Sequence, residues 1–165
     1  MISTISPRTA AILLVLAPLG ALGAALIAQF GFGLEPCHLC TLQRLPFAFA
    51  AFVAILASVE GRDERLRAML LAVVALTYAT NAGIAFYHSG VEWHWWESAC
   101  SGAQVLSGNA GGLLAKLKQG PEAPACDMVP FALFGVLSFA GMNLIFSPVL
   151  AAFAAWFARQ AWRRA

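Results

Sequence analysis

Residues Thr9–Phe30 read TAAILLVLAPLGALGAALIAQF, 22 positions without one charged side chain. A bilayer core of about 30 Å is crossed by about 20 helical residues, so this stretch is long enough to span it. It also exceeds the apolar core of about 7–15 residues typical of a cleaved secretion signal, and is read as a permanent span. Three further uncharged runs follow: Leu45–Val59 with 15 residues, Ala68–Tyr87 with 20 and Met128–Ala158 with 31. The second is short, so its helix is expected to begin near Cys40–Arg44. The fourth is too long for one span and holds Pro130, Gly135, Gly141 and Pro148, so Pro130–Ser138 is expected to approach along the interface. In hydrocarbon each backbone N–H and C=O must be satisfied within its own segment, which leaves helices as the spanning form. The expected fold is an all-α four-transmembrane-helix bundle, with helices near 9–30, 41–59, 68–87 and 139–158 and outer loops near 31–40 and 88–130.

Composition agrees. Of 165 residues, 61% are hydrophobic and 11% charged. Soluble domains carry about 25% charged residues, and this chain has too little polar surface to coat a globule. A net charge of +2 gives no basic footprint for a nucleic acid and no compositional case for disorder.

Basic residues orient the chain. Arg8, the turn with Arg62, Arg65 and Arg67, and the C-terminal Arg159, Arg163 and Arg164 fall on one side, against Arg44, Lys116 and Lys118 on the other. The positive-inside rule then places both termini in the cytoplasm. All four cysteines lie on the opposite, oxidising face: Cys37 and Cys40 in the first outer loop, Cys100 and Cys126 in the second. An even set of thiols on that side favours disulfide chemistry.

Cys37-His38-Leu39-Cys40 is a C-x-x-C pair, whose sulfurs can form a disulfide or share a metal. Pro36 before it suits a helix start, and from there Cys37, Cys40 and Arg44 share one face. A helix N-terminus and a guanidinium both stabilise a thiolate. Pro46 would kink this helix or mark its true start. Arg44 on its own reads as an interfacial anchor; beside Cys40 it becomes a candidate for function. Cys100 and Cys126 stand 26 positions apart in a loop of 40 residues with six glycines. They could staple the loop, or join Cys37, Cys40 and nearby histidines around zinc, although structural zinc sites usually use two closely spaced pairs and no metal is expected here.

Two dithiols on one membrane face suggest exchange through mixed disulfides, and oxidation then needs a two-electron acceptor. Neither a haem attachment motif nor a dinucleotide fingerprint is present. A lipid-soluble quinone, ubiquinone or menaquinone, remains, with Arg44 placed to stabilise negative charge on its oxygen.

The stretch Pro36–Arg44, PCHLCTLQR, resembles the P-C-x-L-C-x-x-Q-R signature of the disulfide bond formation protein B family, bacterial inner-membrane thiol:quinone oxidoreductases. The likeness extends to Tyr87-His88 with Gly90-Val91-Glu92, the Cys100 to Cys126 loop, and Ala140-Gly141-x-Asn143. The resemblance implies that Cys37 and Cys40 are the quinone-coupled pair, with Cys40 beside the ring and Arg44 at its carbonyl. It implies that Cys100 and Cys126 oxidise a periplasmic thioredoxin-like dithiol oxidase joined through Cys100, after which Cys126 engages Cys37.

Other residues invite reading. His88 and His94 are candidates for proton relay, and His88 is counted with the quinone site. Trp93, Trp95 and Trp96 suit an interfacial aromatic belt. Asn81 and Asn143 are expected to hydrogen-bond between helices. Val105–Lys118 could lie on the bilayer surface. The Glu60–Arg67 turn, with six charges in eight residues, reads as a solvated connector. The rival to the redox reading is a small structural or metal-binding membrane protein with static disulfides.

Overall fold

The computed structural model describes residues 5–61, 63–97, 100, 124–129, 131–133 and 137–165. Four helices dominate: α1 (Pro7–Phe32), α2 (His38–Val59), α3 (Glu64–Glu92) and α4 (Phe139–Arg164). Each is long and apolar enough to cross a membrane. The shortest, α2, has 22 residues, or about 33 Å at about 1.5 Å per residue.

Each N-terminus carries a side-chain cap for its orphan N–H groups. Ser6 Oγ accepts from Thr9, Asp63 Oδ1 from Arg65 and Leu66, and Ser138 Oγ from Gly141. On α2 the cap is a sulfur: Cys37 Sγ accepts from the Cys40 N–H at 3.2 Å. The α1 helix stops at Gly33, whose φ of 68° lies in the left-handed region that glycine adopts without steric cost.

Two helix limits differ from expectation. The α2 helix starts at His38, three residues before the expected position 41, because Cys37 caps it; it then runs through Pro46 without interruption. The α3 helix continues past Tyr87 to Glu92, so His88 sits in a helical turn and not at the start of the loop. Ahead of α4, Ala132–Leu133 pairs antiparallel with Leu137–Ser138, a two-residue ladder in the stretch expected to approach along the interface. The expected surface segment Val105–Lys118 lies outside the described residues.

The helices pack in the order α1, α2, α3, α4, and the seam between α1 and α4 is the sparsest of the four between neighbours. Leu14, Leu71, Val74, Tyr78 and Phe157 are fully buried at the centre, with Phe47 edge-on to Tyr78 at 5.9 Å. Large apolar side chains cover the outside, among them Ile27 and Phe30, exposed by 62% and 78%. In water such a surface would be unstable; in lipid it is the ordinary solvent-facing one.

At the end opposite the cysteines, Arg67 departs from the solvated reading of its turn. It is 4% exposed, donates to the carbonyls of Ala57 and Glu60, and pairs with Glu64. It thereby satisfies carbonyls that the end of α2 leaves without helical partners.

Candidate functional site

The N-terminus of α2, the last turns of α3, the first turns of α4 and the outer loop meet at one end of the bundle. Cys37 and Cys40 are thiols whose sulfurs lie 2.9 Å apart. That is longer than the bond of about 2.05 Å in a disulfide, so the two thiols stand unbonded but close enough to close into one. Of the two sulfurs, Cys37 is the one that favours the thiolate. The Cys40 thiol and then His88, together with the Cys40 N–H, hold Cys37 well below the usual thiol range against the opposing effect of burial.

His88, 2% exposed, places Nε2 at 3.5 Å from Cys37 Sγ. Its Nδ1 faces Gln43 Nε2 at 2.9 Å, and Glu92 Oε1 lies 3.9 Å from Nε2. Glu92 in turn accepts from Ser138, which joins the end of α3 to the start of α4. Sγ of Cys37, Sγ of Cys40 and a ring nitrogen of His88 all lie within 4.8 Å of one another, so the trio has the donor types that a soft metal accepts.

Cys100 and Cys126 form a disulfide. It lies against Cys37: Cys37, Leu39, Val91 and Cys126 make one buried cluster, with Cys40, Cys100 and Trp96 packed on it. Trp96 stacks on Tyr87 at 5.8 Å and donates from Nε1 to the Tyr87 carbonyl. Its ring occupies the space that a side chain at Gly90 would fill, since a Cβ there would stand 2.0 Å from Cζ2.

On the other side of Cys40 is a cavity of about 620 Å³ between α1, α2 and α4. Four small residues of α1, Ala21, Ala24, Ala25 and Ala28, leave the space, and Phe139 and Phe146 face them from α4. The polar part of the wall is made by Glu35, Cys40, Gln43, Arg44, His88 and Asn143. Arg44 donates to Gln29 Oε1 at 2.6 Å, which holds the guanidinium at the cavity. Mostly apolar walls with a few convergent polar groups are what small-molecule sites of about 300–1,000 Å³ share.

Comparison with known proteins agrees with this arrangement. The model of the family Disulfide bond formation protein DsbB matches residues 7–157. The chain belongs to the disulfide bond formation protein B family. Disulfide bond formation protein B of Aromatoleum aromaticum is 31% identical over 139 residues, covering 82% of each chain. The protein of that name from Chromobacterium violaceum is 32% identical over 81 residues, 49% of each chain. No solved structure matches. The chain is therefore a multi-pass membrane protein of disulfide formation.

The structure gathers Cys37, Cys40, His88 and the Cys100–Cys126 disulfide, and sets Arg44 at the cavity beside Cys40. His94 stands apart on an exposed turn at φ 58°, its Nδ1 near the Val91 carbonyl. Trp93 and Trp95 are half-exposed, as an interfacial belt would be, whereas Trp96 turns inward onto the cysteine cluster. From sequence alone Gln29, Gln43 and Glu92 carry no role of their own, although Gln43 lies in the Pro36–Arg44 signature and Glu92 in the likeness that follows His88. Gln29 carries a signal as the only polar residue of Ala10–Phe30, and the fold shows that Gln43 and Glu92 stand around His88.

Proposed function

We propose that this protein is a thiol:quinone oxidoreductase of the bacterial inner membrane, with both termini cytoplasmic and the cysteine loops periplasmic. It reoxidises a periplasmic thioredoxin-like dithiol oxidase. The observation that carries this reading is the position of the C-x-x-C pair: it shares one cluster with the Cys100–Cys126 disulfide, and Cys40 also lines the cavity. Electrons entering the pair from the disulfide thus have an exit toward the cavity.

The cavity fits a quinone, with apolar walls for ring and tail, with Arg44 to hold an oxygen and with Cys40, Gln43 and His88 beside it in the wall. Bound there, a quinone supplies a two-electron, two-proton acceptor. The chain's own residues do the rest. A thiolate of the reduced partner attacks Cys100, breaking the Cys100–Cys126 bond and releasing Cys126 as thiolate. Cys126 attacks Cys37 of the oxidised C-x-x-C pair, and Cys40 leaves as thiolate toward the cavity. The partner's second thiol displaces Cys100 and departs with its own disulfide formed. Cys100 then attacks Cys126, restoring the Cys100–Cys126 bond and releasing Cys37. What remains is the arrangement in the structure: one disulfide, and a C-x-x-C pair whose Cys37 favours the thiolate. Loss of two electrons and two protons from that pair through the cavity completes the turnover.

The deciding experiment follows quinone-dependent oxidation of a reduced thioredoxin-like protein by the purified chain. Cys40→Ser should abolish turnover, and Arg44→Ala should chiefly raise the quinone concentration required. Full turnover without Cys40 refutes its role. A partner variant without its resolving thiol should be trapped on Cys100, and unchanged trapping in Cys100→Ser would refute that assignment.

A further inference from the structure

Behind His88 a row of buried polar side chains crosses from α2 to α4 and α3. Gln43, Asn81, Asn143 and Ser147 are each at most 8% exposed. Asn81 Nδ2 donates to Asn143 Oδ1 at 3.3 Å and to Ser147 Oγ at 3.1 Å. The Ser147 hydroxyl donates to Asn143 Oδ1, and Asn143 Nδ2 donates to Gln43 Oε1. An amide donates only from its nitrogen and accepts only at its oxygen, so the row has a direction. With its oxygen committed to Asn143, Gln43 turns its NH₂ to His88 Nδ1, 2.9 Å away. That NH₂ can only donate, so Nδ1 accepts and a neutral ring must carry its proton on Nε2. Nε2 faces two acceptors, Cys37 Sγ at 3.5 Å and Glu92 Oε1 at 3.9 Å.

The opposite direction is less favourable. With every amide reversed, His88 would donate from Nδ1 and show a bare Nε2 lone pair to the Cys37 sulfur. At the far end both N–H groups of Asn81 would be buried without acceptors. In the direction described, the unpaired atom at that end is a single carbonyl oxygen, Asn81 Oδ1. Buried orphan N–H groups are the rarer and costlier fault.

We infer that Asn143, backed by Asn81 and Ser147, is a positioning residue that acts through Gln43 to hold His88 as the Nε2–H tautomer. The Cys37 sulfur thereby faces an N–H donor even when the ring is uncharged. In the exchange sequence proposed above, on which this consequence rests, Cys37 leaves as a thiolate when Cys100 attacks Cys126. A preset neutral donor stabilises that charge without an imidazolium being formed. The titratable groups facing Cys37 are Cys40 from α2 and His88 and Glu92 from α3; Cys126 of the loop is held in the disulfide.

The test is ¹⁵N NMR of histidine-labelled full-length protein in nanodiscs at a pH where His88 is neutral, with His38 and His94 replaced by asparagine. The wild-type signals should show Nε2 protonated and Nδ1 not. Asn143→Leu frees the Gln43 amide to rotate, so a mixture of tautomers should appear and the decline of Cys37 alkylation on acidification should begin at a higher pH. If Asn143→Leu does not fold, Gln43→Met supplies the same readout at a more local site. Gln43→Glu places a carboxylate against Nδ1 and should draw a proton onto that nitrogen, a spectral change that loosened packing would not produce. A wild-type ring protonated on Nδ1, or an unmixed Nε2–H ring in Asn143→Leu, or in Gln43→Met where that variant is the one read, overturns the inference. A protein with the Nε2–H ring that does not turn over with quinone would count against the proposed function and leave this inference standing.

Discussion

Cys37 owes its acidity to three neighbours acting together: the Cys40 thiol first, then His88, and the N–H of Cys40 at the head of α2. Alkylation follows the thiolate fraction, so its rate at Cys37 should stay nearly level as pH falls from 8 to 6, where an ordinary thiol would lose about tenfold per unit below its pKa of about 8.5. Removing the largest contribution with Cys40→Ala should move the decline to higher pH. An identical pH profile in that variant would show that the thiol pair does not set the charge. Gly90 is constrained at the same scale. A methyl at this position would overlap the Trp96 ring, and overpacking of this kind costs about 1–3 kcal/mol. Gly90→Ala should displace Trp96, redden its fluorescence and speed reduction of the Cys100–Cys126 disulfide, because Trp96 packs on that cluster. Unchanged emission and reduction rate would count against the contact.

The α2 helix is held at both ends by features specific to this chain. At its head the capping atom is also the sulfur proposed to react, so the contact that starts the helix also favours that sulfur's thiolate. At its tail Arg67 of α3 takes up carbonyls of Ala57 and Glu60. Arg67→Met keeps much of the side-chain volume but leaves these carbonyls without that donor. At about 1–3 kcal/mol for such a loss, the Tm in detergent should fall by several degrees, with thiol exchange at the far end little altered. A Tm equal to wild type would mean that water replaces the guanidinium. The limits of α2 and α3 differed from expectation for a common reason. Uncharged runs mark where lipid is tolerated, whereas helices end where caps and packing allow. Glu92 and Cys37 are accommodated in helical ends because Ser138, His88 and the opposing sulfur serve them.

The cavity belongs to the whole molecule. It exists because α1 and α4 barely meet and because α1 presents alanines along that seam. Under the proposed function, filling it should therefore separate the two half-reactions. Ala25→Phe is expected to raise the KM for quinone at least tenfold while disulfide exchange with the partner continues at its normal rate. Equal loss of both activities would show that the substitution had disturbed the cysteine cluster instead.

Much was legible in the amino-acid order alone. Charge-free runs reveal four spans because a bilayer imposes one length and one polarity on whatever crosses it. The C-x-x-C pair, Arg44 and the second cysteine pair could be read because reactive thiols and a guanidinium in so apolar a chain have few other uses. The arrangement around them could not. Which sulfur lines the cavity, how Gln29 holds Arg44, and why Gln43, Asn81, Asn143 and Ser147 form one directed row all depend on contacts between helices. Most of those residues are far apart in the chain, and hydrogen bonds and van der Waals packing act over a few ångströms. The order of residues sets which groups are available; only the assembled bundle sets which atoms they face.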